Sequence, residues 1–90
     1  MELSKLIDYD HWANIVVFDE LKKISESEVY PEARQLFSHI MGAQVIWISR
    51  IKGANTEQEI WPELSISEME QFLDQNPDKL HSLIQKKTEI

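Results

Sequence analysis

From the first residues onward, apolar side chains return every three or four positions, and the places where that rhythm stops are few. At about 100° per residue, Leu3, Leu6, Ile7, Val17, Phe18, Leu21 and Ile24 form one stripe, which predicts a first helix over Glu2 to Ile24. Ser25-Glu26-Ser27-Glu28 breaks the pattern, and Pro31 suits the first turn of a second helix. That helix is predicted from Pro31 to Lys52, closed by Gly53, with Leu36, Ile40, Ala43, Trp47 and Ile51 as its core stripe. Phe37, Met41, Val45 and Ile48 make a second apolar face, so this helix is expected to be buried on two sides, the second against another subunit. Ala54 to Leu64, containing Trp61-Pro62, reads as a loop. Ser65 and Glu68 then have the spacing of a capping box, with Leu64 and Met69 placed as its hydrophobic staple. A third helix follows from Ile66, with Met69, Leu73, Leu80 and Ile84 in its stripe and Leu83 beside it. The phase holds across Pro77, which removes a backbone donor, so one long helix kinked at Pro77 is expected rather than two. No stretch alternates as a half-buried strand does, and the expected fold is all-α, a single helical domain over residues 1–90.

The most informative interruption lies in the first helix. Asp10 and Asn14 stand at the centre of its stripe, one turn apart and therefore adjacent. Burying such groups unpaired costs roughly 1–3 kcal/mol each, so they need partners. His39 and Arg50, on one flank of the second helix's stripe, are the expected ones, across an interhelical seam. Trp12, Ile15 and Val16 lie on the other side of the first helix, placed to join the second apolar face of the second helix.

Composition narrows the function. A net charge of −7 offers no basic face for nucleic acid, and no basic amphipathic stretch suggests a membrane surface. Zero cysteines exclude disulfides, thiolate metal sites and cysteine nucleophiles. The N-terminal residues lack a signal-peptide profile and no apolar run approaches the length of a bilayer span, so the expected location is cytoplasmic. Glycine-rich phosphate loops and Gly-x-Ser-x-Gly elbows are absent from the sequence. Trp47 reads as core, Trp12 as interface and Trp61 as a loop anchor.

Three histidines invite a metal reading, yet no two stand at i and i+4, and His11, His39 and His81 fall on three different helices. His11 and His81 read as edge or surface histidines. His39 divides evenly between a satisfied core histidine and a ligand. The ligand reading draws on Asp10, Asn14 and Arg50, since a metal-bound imidazole gives its other N–H to a carboxylate or carbonyl and Asp10 is placed for that. The alternative is a polar network in which Asp10 pairs with Arg50 and only fixes helix register.

Two stretches together resemble a known family. Tyr9-Asp10-His11-Trp12-Ala13-Asn14 is similar to the Tyr-x-x-Trp-Ala-Asn signature in the first helix of the DinB/YfiT-like proteins. His39-Ile40, Ala43, Trp47, Arg50-Ile51 and Gly53 resemble their second-helix signature, in the same order and separation. The likeness runs from Leu3 to Gly53 and more loosely to Ile84. It implies an up-and-down four-helix bundle, often dimeric, with nickel or zinc held by three histidines, in metal-dependent hydrolases or in thiol-dependent transferases and isomerases. The first metal histidine of the family corresponds to His39; the other two come from a His-x-x-x-His in the last helix, a segment this chain does not contain. The chain ends at Ile90, so a fourth helix missing from it, or supplied by a partner chain, is expected. The readings that follow are a metal-dependent transferase or hydrolase whose site is incomplete here, holding no metal and catalytically silent alone, or a metal-free helical dimerisation module. A homodimer is expected in both.

Overall fold

In the computed structural model, residues 3–88 are described, with side chains through position 85, and among them there are three α-helices and no strand. They are α1 (Leu3–Lys23), α2 (Tyr30–Lys52) and α3 (Ile66–Thr88). Each boundary falls within a residue or so of its sequence signal; the expected first residue of α1, Glu2, lies outside the described residues, as does Ile90.

Local chemistry explains the boundaries. Gly53 takes φ 73°, a left-handed conformation that favours glycine, and its N–H donates to the Arg50 carbonyl at 3.1 Å. The Ala54 N–H reaches the Ser49 carbonyl at 2.9 Å, completing the pair of bonds that closes a helix C-terminus in this way. At the start of α3 the expected capping box is present. The Ser65 N–H donates to Glu68 Oε1 at 3.0 Å, and the Glu68 N–H donates to Ser65 Oγ at 3.1 Å. Leu64 and Met69 are both buried in one cluster, as a staple requires. Beyond it α3 runs unbroken through Pro77.

α3 is the centre of the arrangement. α1 and α2 both pack along it and touch each other only slightly. The core joins Phe18 and Leu21 of α1, Phe37 and Met41 of α2, and Met69 and Leu73 of α3, with Leu64 from the loop. Phe18 and Phe37 stack at 5.8 Å between ring centroids. The result is a slab of 50 × 28 × 19 Å, whose thickness is about two helix diameters.

Burial reverses the expected faces of α2. Met41 is fully buried and Phe37 and Ile48 nearly so, whereas Leu36 and Trp47 are each 59% exposed, with Ile40 and Ile51 also open. The face assigned to another subunit is the intramolecular core, and the face assigned to the core is open. Trp47 is therefore not a core residue. α1 shows a smaller departure. Ile7, Phe18 and Leu21 are buried as expected, but Leu3, Leu6 and Val17 are exposed, and Ile15 packs against the core instead of beside exposed Trp12 and Val16.

Candidate functional site

Three features bear on function: a polar seam between the helices, a histidine under a loop, and an open apolar groove. In the seam, Asn14 is buried and donates through Nδ2 to Asp10 Oδ2 at 3.2 Å, the mutual bond their spacing suggested. The partner across the seam is neither His39 nor Arg50. Gln44 of α2 donates through Nε2 to the same Asp10 oxygen at 2.8 Å. Asn76 of α3, fully buried, donates through Nδ2 to Gln44 Oε1 at 2.9 Å and to the Met41 carbonyl at 3.3 Å. One chain of amides thus ties all three helices to the Asp10 carboxylate, and the Asn76 Oδ1 is buried without a partner.

Gln44 and Asn76 were legible only in part. Asn76 falls in phase with Met69, Leu73 and Leu83, interrupting the α3 stripe as Asp10 interrupts that of α1, but beside Pro77 it reads as part of a helix break. Gln44 borders the α2 face that turned out to be the core, so only the correct choice of face reveals it.

Arg50 is exposed and lies over the Trp47 ring, 5.1 Å from its centroid, out of the seam. His39 also leaves the seam. Its ring stacks on Trp61 at 3.9 Å between centroids and 14° between planes, and its Nδ1 hydrogen-bonds the carbonyl of Ile60. That side of α2 is where the loop returns. The Leu64 N–H donates to Ser38 Oγ at 3.4 Å, and Pro62 lies so close to Gly42 that a Cβ there would meet the proline ring at 3.0 Å. Trp61 does anchor the loop, by stacking on His39 while remaining half exposed.

The other histidines are apart from His39. His81 Nε2 pairs with Asp8 Oδ1 at 2.8 Å, joining the C-terminal part of α3 to the start of α1. His11 is half-buried with Nδ1 enclosed and unpartnered. Among the described residues no group of three or more histidine, cysteine, aspartate or glutamate side chains is placed to hold a metal ion. His39 therefore stands as a single imidazole among the described residues, and these do not make the three-ligand site that the family resemblance implies.

The third feature is a groove of about 440 Å³ between the N-terminal half of α1 and the C-terminal halves of α2 and α3. Leu6 and Ile51 form its walls, Leu80 and Leu83 line its α3 side, and among the described residues Asp10 is the one polar side chain in its lining. It continues outward into the exposed stripes of α1 and α2. No described helix is long and apolar enough to cross a membrane. Comparison with protein-family models, with curated proteins and with solved structures finds no match to this chain.

Proposed function

We propose that this chain is a helical self-association module of the DinB/YfiT-like kind, in which a second copy covers the side of the slab left open by α1 and α2. The observation that carries the reading is the pair of exposed apolar stripes. Leu36, Ile40, Trp47 and Ile51 on α2, with Leu3, Leu6 and Val17 on α1, leave water in contact with surface that a soluble monomer normally hides. The flat shape supports it, because a two-layer slab gains a second buried side only from another body. Sedimentation equilibrium at micromolar concentration is expected to give a dimer, and Trp47→Glu, at the centre of the open α2 stripe, a folded monomer. A wild-type chain that sediments as a monomer throughout that range refutes the reading.

A second reading rests on the state of His39. With Nδ1–H committed to the Ile60 carbonyl, Nε2 carries the lone pair, the arrangement in which a histidine meets a divalent metal. On this reading His39 is one ligand of a nickel or zinc site in a transferase or hydrolase, and the remaining ligands come from another chain or segment. One imidazole alone holds such an ion weakly. Titration of the chain with nickel or zinc tests it. Micromolar or tighter binding that is lost in His39→Ala favours the metal reading, and its absence favours the association module.

A further inference from the structure

Asp10 stands within the open stripe of α1 and Arg50 beside that of α2, and the two charges are opposite. On α1, Leu3, Leu6, Asp10, Ala13 and Val17 follow at steps of three and four residues, and Asp10 is the only polar member. On α2, Leu36, Ile40, Ala43 and Trp47 are followed by Ile51, with Arg50 beside it. Both charged residues are exposed, and among the described residues neither has an ion-pair partner within 4 Å. Asp10 is held in place through one oxygen by Asn14 and Gln44. Arg50 is laid back over Trp47.

The two stripes also lie at compatible heights. The Asp10–Gln44 bond sets the middle of α1 level with residue 44, and Leu6 lines the same groove as Ile51, so α1 and α2 run antiparallel. Arg50 is six residues beyond Gln44, about 9 Å along the axis. Helical side chains lean toward their own N-terminus, so Asp10 leans toward the level of Arg50 and Arg50 leans back toward the level of Gln44. The arginine's place above Trp47 shows that lean. In a dimer whose two-fold axis runs parallel to the helices, α1 of each copy faces α2 of the other and heights are conserved. Apolar stripe then meets apolar stripe, and at both contacts the anion and cation stand within about 9 Å of one level, a gap that the lean of Arg50 over Trp47 shortens.

We infer that a second copy of this chain docks on the open face through two reciprocal ion pairs, Asp10 of each copy with Arg50 of the other. This rests on the self-association proposed above and specifies its register. The charge-swap variants Asp10→Lys and Arg50→Glu test it, with circular dichroism confirming helix content for each. In either variant alone the dimer would oppose like charges at both sites, and the dissociation constant is expected to rise about tenfold or more. A mixture of the two variants pairs a chain bearing two cations with a chain bearing two carboxylates. It is expected to associate at least tenfold more tightly than either variant alone, as a heterodimer. A role for either residue within its own chain could not be rescued by mixing. A wild-type dimer that neither variant weakens, or one that both weaken without rescue in the mixture, overturns this register while leaving self-association intact. A monomeric wild type overturns both.

Discussion

Asp10 is an exposed side chain whose neighbours are interior ones, and that contrast decides what its removal would do. Its Oδ2 is the acceptor for Asn14, which is buried, and for Gln44, which in turn accepts from Asn76. Asp10→Leu would leave the Asn14 amide enclosed without its acceptor, a loss of about 1–3 kcal/mol. Replacing Asp10 and Asn14 together by leucine removes donor and acceptor at once and is expected to recover most of that loss. Denaturant unfolding of the two variants measures it, and a double variant no more stable than Asp10→Leu would show that the stranded Asn14 amide is not the source of the loss. Gly42 makes the opposite point. Alanine is ordinarily the better helix former by about 1 kcal/mol. Here its Cβ would press on the Pro62 ring at 3.0 Å and the Glu59 carbonyl oxygen at 3.2 Å. The contact is with ring and backbone atoms that carry the loop, so Gly42→Ala is expected to displace Trp61 from His39. A changed Trp61 fluorescence, isolated in a background with Trp12 and Trp47 replaced by phenylalanine, reads that displacement; an unaltered spectrum counts against it.

Among elements, α3 depends most on its first turn. Its helix start is fixed by the two Ser65–Glu68 bonds, and the backbone bond from Ser65, with the serine hydroxyl second, holds the Glu68 carboxyl below the usual carboxylate range. Ser65→Ala is expected to cost about 1 kcal/mol at neutral pH. Because the folded-state value of Glu68 is lowered, its contribution is full above the ordinary carboxylate range and is lost as pH falls through the lowered value. Ser65→Ala keeps the backbone N–H that Glu68 accepts, so the pH probe is Glu68→Gln: it and wild type should differ at pH 7 and converge in acid, in thermal midpoints taken across that window. Equal differences at both ends would place the cap's contribution elsewhere. The same elements show what periodicity can and cannot tell. Where a helix starts and stops is written in local chemistry, in Gly53, in Ser65 with Glu68 and in the polar break after Ile24, and the expected boundaries agree with the structure to a residue or so. Which side of α2 faces inward is not local. Leu36, Ile40, Trp47 and Ile51 are as apolar as Phe37, Met41, Val45 and Ile48, so the stripe alone identifies a two-faced helix without ranking its faces. What ranks them is the small pair Ser38 and Gly42 beside the second face, which lets the loop close over it. The candidate site inherits the error: with α2 turned the wrong way, His39 and Arg50 looked into the seam, and Gln44 did not.

For the whole molecule, the open side of the slab couples the stability of the fold to association on the proposed reading. A protein that folds as a dimer gains stability with concentration, about 1.4 kcal/mol for each tenfold increase. Spread over the unfolding entropy of two 90-residue chains, that gain corresponds to a rise in thermal midpoint of roughly 2–4 °C per decade. Two variants separate the terms. Met41, fully buried where all three helices meet, contributes to the fold of each chain, and Met41→Ala should lower stability by about 2–5 kcal/mol at every concentration while leaving the slope with concentration in place. Ile40, open on the α2 stripe, contributes to association, and Ile40→Glu should flatten the slope while leaving the dilute-limit midpoint nearly unchanged. If the wild-type midpoint does not move with concentration, a second copy does not cover the apolar stripes of α1 and α2. The open side then belongs to a different partner.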